Sequence, residues 1–415
     1  MIMETTDLFT AALNLQDPWK VERVEFVADE KNPKKMALHI YIDFHRGAEF
    51  PVPGDTSGST RTAYDTMEHV WRHLNFFQYK TYVHARQPRV LDADGTPKLV
   101  PVPWAREGSG FTLLFEGWVV ELAKHLPVSV IAGMVDEYDT RLWRFIRHYV
   151  DKAREKADYS DVTGVGMDET SKKGRNYITV MVDLEHHRVI FAVDKKDATT
   201  VDKFVEDSRL HGSDTDNISI VTCDMALGFK AGIVRNFPHA HIVIDKFHVI
   251  KNCNDDVDRT RKDEARTNVI LKKTKYLWLK NSSNLSEKQA ARKEKLLKKH
   301  LKTARAYSMR VELQDIYEEC GNRSEAEPRL KKLVSWMMHS RLSHMKHFAE
   351  MLKTNWEEIL NYFDYRFTNA ILEGTNSIIQ NIKCKARGFR NDEYFKTMIY
   401  LVCGQLDLDS VIVSA

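Results

Sequence analysis

Two aspartates in the middle of the chain are placed so that they could act together on a phosphate. Asp168 ends the first of several predicted β-strands, within residues 165–169, and Asp224 ends the fourth, within residues 220–224. If these strands are neighbours, the two carboxylates lie side by side and repel each other unless cations bridge them. Glu373, near the start of a predicted C-terminal helix that can pack beside the sheet, would add a third carboxylate.

Three carboxylates are hard oxygen ligands, which suit Mg²⁺ or Mn²⁺ better than zinc. Two such ions about 3.5–4 Å apart can activate a water or a 3′-hydroxyl and stabilise the leaving oxygen of an in-line displacement at phosphorus. This is the chemistry of nucleases and of DNA strand transfer. The alternative is that Asp168 and Asp224 are ordinary strand-end acids in turns and that Glu373 is an exposed helix residue; the order of the surrounding elements favours the metal site.

The elements that must position these acids read as a mixed sheet with helices on its faces. Three β-branched runs, separated by turn residues, predict a meander, and alternating helices and strands follow it. The predicted strands cover residues 162–168, 177–183, 188–194, 218–224 and 241–244, with helices over 199–210 and 226–236. This order, βββαβαβα, makes the first and fourth strands neighbours.

The N-terminal part of the chain predicts a small β module followed by a helix-turn-helix. Residues 20–46 alternate as two paired strands around a turn at Lys31–Pro33. Prolines and glycines break residues 47–110 into short strands and loops, with a helix fitting only at 66–74. A helical pattern from residue 111 is stopped by Pro127, and two short helices follow over 128–135 and 140–150, the second capped by Thr140.

The second of these helices carries basic residues on one face. We expect Arg141, Arg144 and Arg147, together with His148, to line that face and to contact DNA as in a helix-turn-helix. The alternative is an ordinary helical hairpin whose arginines are solvated. A charge stripe alone does not decide between the two.

Charge is segregated along the 415 residues, although the net formal charge is only +3. Residues 251–305 hold 17 Lys and Arg against 7 Asp and Glu, a local charge of +10 that leaves −7 for the rest of the chain. This segment follows the last predicted strand, is helical in pattern throughout, and reads as a basic all-α insertion. Such segregation indicates a polyanionic partner.

Composition excludes several classes of protein. The length implies two or more domains, and 43% hydrophobic with 29% charged residues is typical of globular chains rather than disordered ones. No apolar run approaches the ~20 residues of a membrane helix, and the N-terminus lacks a signal-peptide pattern, so we expect a cytoplasmic protein with no membrane partner. The five cysteines form no CxxC pair and are expected to be reduced and buried.

Four segments in this order resemble the DDE transposases of bacterial insertion sequences, specifically the ISL-three family. The matching segments are residues 166–169, 222–229, 244–251 and 372–391. The resemblance covers the chain from about residue 162 to the C-terminus. It implies a ribonuclease-H-like (retroviral-integrase-like) catalytic domain, split by the helical insertion between the second Asp and the Glu. It also implies that Asp168, Asp224 and Glu373 are the catalytic, metal-binding triad.

Further residues are expected to contact DNA, and each has a local alternative. Asp245 and His248 match the family's Asp-x-Phe-His segment; alternatively Asp245 caps the following helix and His248 bonds locally. A basic turn beside Asp168 and a basic link after the Glu373 helix could hold the DNA backbone, or be solvated loops. The predicted DNA-binding residues of these segments are Lys172, Lys173 and Arg175, then Asp245, His248 and Lys251, then Lys383, Lys385, Arg387 and Arg390.

The N-terminal region departs from the family pattern of a cysteine-based zinc ribbon. No cysteine precedes Cys223, and histidines 39, 45, 69, 73 and 84 lack metal-ligand spacing, so we expect a ribbon-like module that binds no zinc. The predicted division is a β-rich module (1–110), a helix-turn-helix region (111–160), the first part of the catalytic core (161–250), the basic helical insertion (251–365), and C-terminal core helices carrying the Glu (366–415).

The sequence therefore predicts a DNA transposase that binds the inverted ends of its own element, cleaves there with Mg²⁺ or Mn²⁺, and joins the 3′-hydroxyls to target DNA. Because two ends must be paired, we expect a homodimer or larger assembly on double-stranded DNA, associated with the bacterial nucleoid. Two alternatives remain open: a transposase-derived DNA-binding protein that has lost transposition, and a structure-selective nuclease of the same fold.

Overall fold

The chain forms two units, and each unit is built from segments that are separated in the sequence by parts of the other. The structure is a computed structural model that describes residues 4–29, 32–171, 177–194, 198–225, 227–366 and 370–412. The first unit consists of Met1–Ala157, Lys385–Val402 and Leu406–Ala415, and the second of Asp158–Cys384 and Cys403–Gln405. In the described part of the chain, no helix combines the length and the apolar character needed to cross a membrane. The five-part division remains a prediction, to which the structure adds that residues 385–402 pack with the first unit.

A five-stranded sheet forms the N-terminal part of the first unit. Its elements are α1 (Thr5–Ala12), β1 (Trp19–Asp29), β2 (Asn32–Phe44), β3 (Glu49–Pro51), β4 (Thr60–Thr62), β5 (Asp65–Phe76), β6 (Tyr79–Leu91) and β7 (Pro97–Leu99). The strand order is β1-β2-β6-β5, with β7 on β6, and β3 pairs with β4 separately. One face of the sheet is apolar, because alternate residues such as Leu38, Ile40 and Ile42 are buried. The predicted pairing of two strands across residues 20–46 is confirmed.

The predicted helix over residues 66–74 is wrong, because these residues belong to β5. Met67, Val70, Trp71 and Leu74 have helical spacing, but β5 pairs residue by residue with β6 in an antiparallel ladder. The two strands are 12 and 13 residues long, not the short pieces that the prolines predicted. Pro88 lies inside β6, where its carbonyl accepts a hydrogen bond from Val100. Long-range pairing has therefore overridden local propensity.

Three helices follow in the first unit, α2 (Leu113–Ala123), α3 (Val128–Val135) and α4 (Asp139–Glu155). Their predicted positions are confirmed, but the predicted cap is wrong. Helix α4 begins at Asp139, so Thr140 lies inside it, and Tyr138 occupies the N-cap without a side-chain bond. Thr112 caps α2 instead, accepting a hydrogen bond from the Phe115 backbone N–H. Apolar residues of α4, such as Leu142, are buried at helical spacing, which leaves the arginines on its outer face.

The second unit contains the mixed sheet that the sequence predicts. Its elements are β8 (Gly164–Ser171), β9 (Tyr177–Asp183), β10 (Arg188–Asp194), α5 (Ala198–Leu210), β11 (Ile220–Cys223), α6 (Leu227–Asn236) and β12 (His241–Ile244). The strand order is β10-β9-β8-β11-β12. Strands β8 and β9 and strands β9 and β10 are antiparallel, whereas β11 is parallel to both β8 and β12. The first and fourth strands of the series are thus neighbours, as predicted.

The predicted all-α insertion is present and shares its core with the edge of the sheet. Its helices are α7 (Lys246–Thr267), α8 (Lys275–Leu279), α9 (Glu287–Leu297), α10 (Lys302–Glu319), α11 (Arg323–Met338), α12 (Ser343–Thr354) and α13 (Trp356–Tyr365), with short 3-10 turns between some of them. Val243 and Ile244 of β12 belong to the same buried cluster as Trp278 and Phe348. The Asn361 amide donates to the Ile242 carbonyl at 2.9 Å, which ties α13 to the same strand.

The chain ends with α14 (Ala370–Lys385) in the second unit and with α15 (Asp392–Cys403) and α16 (Asp409–Ile412), which lie chiefly in the first. Tyr394 of α15 stacks on Trp143 of α4, with ring centroids 4.2 Å apart and planes 5° from parallel. All five cysteines are free, and four are buried as predicted, but Cys384 near the end of α14 is exposed.

Candidate active site

The register of two parallel strands brings Asp168 and Asp224 together. Ile220 of β11 lies opposite Gly164 of β8, and Thr222 lies opposite Gly166. Two residues further along, the same register places Asp224 beside Asp168. Asp224 directly follows the last residue of β11, as predicted. The predicted strand end at Asp168 is wrong, because β8 continues to Ser171 and Asp168 pairs with Val180 of β9.

Helix α14, which carries Glu373, lies along β8 with matched spacing. A Cβ built on Gly166 would come within 2.9 Å of the Leu372 side chain, so these two residues are in close contact. One helical turn on, the Asn376 amide donates to Asp168, and another turn on, the Gln380 amide donates to Thr170 at 2.9 Å. Four residues of a helix rise about 6 Å and two residues of a strand rise about 6.6 Å. Every fourth residue of α14 therefore meets every second residue of β8.

Glu373 follows the first of these contacts on α14. It is exposed, one residue after buried Leu372 and one helical turn before Asn376. The helix that carries the third predicted acid is therefore fixed on the strand that carries the first. Glu373 faces solvent at the edge of that contact rather than packing between helix and strand.

The pKa of the Asp168 carboxyl is raised above its ordinary value, although its surroundings act on it in both directions. Burial is the largest cause and raises the pKa, and the nearby Asp224 carboxylate acts in the same direction. Hydrogen bonds from the Glu169 backbone N–H, at 2.6 Å, and from Asn376 lower it, as does the positive charge of His248. A carboxyl that burial and a neighbouring acid both destabilise as an anion is suited to binding a cation, which relieves both effects.

Asp245 and His248 lie at the start of α7, directly after β12. Asp245 caps α7, accepting a hydrogen bond from the Phe247 backbone N–H at 2.9 Å, and lies 3.9 Å from the ring Nε2 of His248. The local alternative for Asp245, a helix cap, is therefore present, whereas His248 lies within ion-pair distance of Asp245 but too far for a hydrogen bond. His248 is also close enough to Asp168 to stabilise its anion, so it belongs to the surroundings of the two aspartates.

The ligand atoms of the three predicted acids do not converge within 4.8 Å of one another. Within the described ranges, the set of His, Cys, Asp and Glu side chains that meets this distance consists of Asp161, Asp183 and His186. Arg188 lies in that cluster, with its guanidinium 3.0 Å from Asp183 and 2.8 Å from Asp161. The cluster is therefore an ion-pair network in which the guanidinium already supplies the positive charge.

The donors around Asp168 nevertheless fit a hard cation. Two carboxylates are adjacent, a third is exposed on a fixed helix, and the amide oxygen of Asn376 is buried without a hydrogen-bond partner among the described residues. All of these donors are oxygens, the ligands that Mg²⁺ and Mn²⁺ take. Asn376 lies in the matching segment 372–391, but local patterns do not reveal its contact with Asp168, because the two residues are 208 apart along the chain.

The predicted DNA-binding residues fall into several places. Lys172, Lys173 and Arg175 lie outside the described residues. Lys251 is exposed on α7. Lys383 and Lys385 lie in the last turn of α14, not in a link after it, so that part of the prediction is wrong; Arg387 and Arg390 are exposed in the link itself.

The three arginines of α4 differ in their surroundings. Arg141 pairs with Glu137 and lies over the Phe111 ring, with its guanidinium carbon 4.4 Å from the ring centroid. Arg147 lies 3.5 Å from Asp151 and 3.8 Å from Glu393. Arg144 is exposed and has no ion-pair partner in the part of the chain that the structure describes. Arg144 is therefore the arginine of this face with the most freedom to reach a phosphate or a base.

The N-terminal sheet also brings together two histidines that are far apart in sequence. His39 Nδ1 and His84 Nε2, on the parallel strands β2 and β6, are 2.7 Å apart. Burial, with the charges of His39 and Arg23, lowers the pKa of His84 to about 4, so this ring is neutral at pH 7. The expectation that the module binds no zinc stays a prediction.

Comparisons with known proteins agree on one family. Residues 165–399 match a family described as "Transposase", the DDE transposases of family ISL3, and residues 100–150 match the "Helix-turn-helix domain of transposase family ISL3". The transposase for insertion sequence element IS1001 of Bordetella parapertussis is 27% identical over 390 residues, which cover 90% of this chain and 93% of that relative. The transposase for IS1557 of Mycobacterium tuberculosis is 25% identical over 360 residues, covering 78% of this chain and 79% of that relative.

The two family matches fall chiefly in different units and leave the N-terminal sheet outside them. The helix-turn-helix match covers α2, α3 and most of α4, and the transposase match covers the mixed sheet, the insertion and α14, which is more than half of the chain. The first implies binding to DNA, and the second implies a ribonuclease-H-like fold and use of a divalent metal. The chain therefore belongs to the ISL3 family of DDE transposases, enzymes that act on DNA.

Proposed function

We propose that this transposase binds the inverted ends of its own insertion sequence, cleaves the DNA there, and transfers the liberated 3′-hydroxyls to target DNA. The observation that carries the proposal is the parallel register that sets Asp224 beside Asp168. Two adjacent carboxylates, one of them largely buried, repel each other and destabilise the fold unless a cation binds between them. Such a pair is therefore typical of a functional site.

In this proposal Asp168, Asp224 and Glu373 hold two Mg²⁺ or Mn²⁺ ions. When bound, such ions activate the attacking oxygen and stabilise the leaving oxygen of an in-line displacement at phosphorus. The chain's own residues set the geometry: the β8–β11 ladder fixes the two aspartates, and the contacts of α14 with β8 fix the helix of Glu373. Glu373, exposed on α14, would supply the third carboxylate to these ions.

End recognition falls to residues 1–160 in this proposal, with α4 as the helix that enters the major groove. Arg141, Arg144 and Arg147 face the DNA, and Lys383, Lys385, Arg387 and Arg390, with Lys251, contact the DNA backbone. Asp245 and His248 line the approach to the metal site. Lys172, Lys173 and Arg175 remain proposed DNA-binding residues. The basic helices of the insertion extend the backbone contacts.

Because two ends must be cut and joined together, we propose that the active species is a homodimer or a larger assembly on DNA. Its substrate is chromosomal DNA, so we propose that it acts at the nucleoid.

The test is cleavage and joining of labelled end DNA by the full-length protein with Mg²⁺. Asp224→Asn removes the charge that holds the metal while keeping the size of the side chain. Since metal ions supply several kcal/mol of transition-state stabilisation, we expect the rate to fall at least about a hundredfold, with binding to end DNA retained. Asp168→Asn and Glu373→Gln should behave alike.

Asp161→Asn is the matched control, because Asp161 is an exposed acid of the same unit that takes part in an ion-pair network. We expect this substitution to leave cleavage unchanged. Full activity of Asp224→Asn would refute the assignment of the site. Binding of end DNA without cleavage by the unaltered protein would favour a transposase-derived DNA-binding protein, and cleavage without joining would favour a nuclease.

A further inference from the structure

Asn376 makes the one direct side-chain hydrogen bond to Asp168 in the described part of the chain. Its amide Nδ2 donates to Oδ2 of Asp168, and the other carboxylate oxygen, Oδ1, accepts from the Glu169 backbone N–H at 2.6 Å. Asn376 therefore fixes the plane in which the Asp168 carboxylate lies. Because Asn376 is on α14, one helical turn after Glu373, it also links two of the three proposed metal ligands.

The oxygen of the same amide has no hydrogen-bond partner among the described residues. Asn376 Oδ1 is buried and accepts no hydrogen bond from any residue that the structure describes. A buried acceptor without a partner loses the free energy of its hydrogen bond to water, so such atoms are rare unless a water, an ion or a ligand satisfies them. This oxygen lies beside the amide nitrogen that holds Asp168.

The geometry of an amide paired with a carboxylate suits a shared cation. One edge of the pair is the hydrogen bond from Nδ2 to Asp168 Oδ2. Neighbouring ligand oxygens of an octahedral Mg²⁺ are about 3 Å apart, since each lies about 2.1 Å from the ion, and this is close to the length of a hydrogen bond. The Asn376 amide oxygen is not used in this hydrogen bond, so it is available to a cation that Asp168 also binds.

We propose that Asn376 is a fourth residue of the metal site, which orients Asp168 through its N–H and supplies its own amide oxygen to the divalent cation. This inference rests on the proposed function, since it assumes that Asp168 is a metal ligand. It adds a neutral ligand to the three acids, one that contributes affinity without further repulsion between carboxylates.

The competing explanation is that Asn376 only holds α14 on β8. Gln380 provides the matched control for this role. It lies one turn further along the same helix and donates an amide hydrogen bond at 2.9 Å to Thr170 of the same strand, so its bond is to a hydroxyl and not to an acid. A purely structural role predicts that loss of either amide has the same consequences.

The experiment is a Mn²⁺ titration of the full-length protein without DNA, with free Mn²⁺ followed by electron paramagnetic resonance. Supporting groups around metal ligands typically change metal affinity by about 10–100-fold, so we expect Asn376→Ala to weaken Mn²⁺ binding at least about tenfold. Gln380→Ala should change it less than about twofold. Thermal unfolding without metal, measured for both variants, shows whether they lose similar stability.

Asn376→Asp separates the two functions of the amide and serves also if Asn376→Ala does not fold. It keeps an oxygen for the cation but loses the donor to Asp168, so we expect Mn²⁺ affinity to stay near that of the unaltered protein. If Asn376 acted only as a donor, the added carboxylate would weaken binding at least as much as alanine does. Equal effects of Asn376→Ala and Gln380→Ala on Mn²⁺ affinity would overturn the inference.

Asp168→Asn distinguishes failure of this inference from failure of the proposed function. If Asp168→Asn abolishes Mn²⁺ binding while Asn376→Ala leaves it unchanged, the metal site stands and the role of Asn376 is refuted. If Asp168→Asn binds Mn²⁺ like the unaltered protein, the proposed metal site itself is refuted.

Discussion

The contact between Gly166 of β8 and Leu372 of α14 predicts a large cost for a single methyl group. A Cβ at Gly166 would lie 2.9 Å from the side chains of both Leu184 and Leu372, closer than real Cβ contacts come. Both leucines are buried, 2% and 1% exposed, so neither can turn away without displacing its own neighbours. Overpacking of this kind costs about 1–3 kcal/mol, and we expect Gly166→Ala to destabilise the second unit by that amount.

Gly164→Ala is the control on the same strand, because its Cβ would come no closer than 3.4 Å to Leu184, an ordinary contact. We expect it to change the free energy of unfolding by less than about 0.5 kcal/mol. The assay is equilibrium unfolding in urea, with thermal unfolding as a check, where 1 kcal/mol corresponds to about 2–4 °C in a unit of this size.

A double variant tests whether Leu372 is the cause. Leu372→Ala alone should cost about 2–5 kcal/mol, because it opens a cavity under α14. In Gly166→Ala/Leu372→Ala the new methyl group enters that space, so the double variant should lose at least about 0.5 kcal/mol less than the sum of the single variants. Additive losses would mean that the helix does not rest on Gly166, and the reasoning about how α14 is positioned would be wrong.

Two further predictions concern charges. Asp183 is fully buried; burial raises its pKa, but hydrogen bonds from His186, two backbone N–H groups and Arg188 outweigh this and lower it. Its contribution is therefore present at pH 7 and is lost progressively as the pH falls from about 4 through the lowered pKa. Asp183→Asn should cost about 3 kcal/mol in urea unfolding at pH 7 and progressively less below about pH 4, and a loss independent of pH would contradict this. Arg144→Ala should weaken binding to end DNA and reduce the slope of log affinity against log salt by about 1, as measured by fluorescence anisotropy. Arg235→Ala, which removes an exposed arginine paired with Asp202, is its control, and equal slopes for the two variants would refute the contact.

Much of the second unit could be predicted because its signals are local. Strands β8 to β12 are short β-branched runs bounded by turn residues, and their order alone makes β8 and β11 neighbours, which brings Asp168 and Asp224 together. The first and last residues of β9, β10 and β12 are those that the sequence predicts.

The features that escaped prediction depend on contacts between distant residues. The spacing of Met67, Val70 and Trp71 is that of a helix, and only pairing with β6 makes this segment a strand. His39 and His84 lack the spacing of metal ligands, yet parallel pairing of β2 and β6 brings them to 2.7 Å. Asn376 lies in a segment that resembles the family, but its contact with Asp168 follows from a hydrogen bond across 208 residues of sequence.

The stacking of Tyr394 on Trp143 has a consequence for damaged copies of the gene. Trp143, on the helix proposed to read DNA, is only 7% exposed, and Tyr394 is translated after residues 158–384 of the second unit. A chain that ends at a premature stop codon before residue 394 lacks Tyr394, so the Trp143 side chain loses the ring that stacks on it. Truncated alleles should therefore yield chains that are degraded rather than fragments that compete with the intact enzyme for the ends of the element.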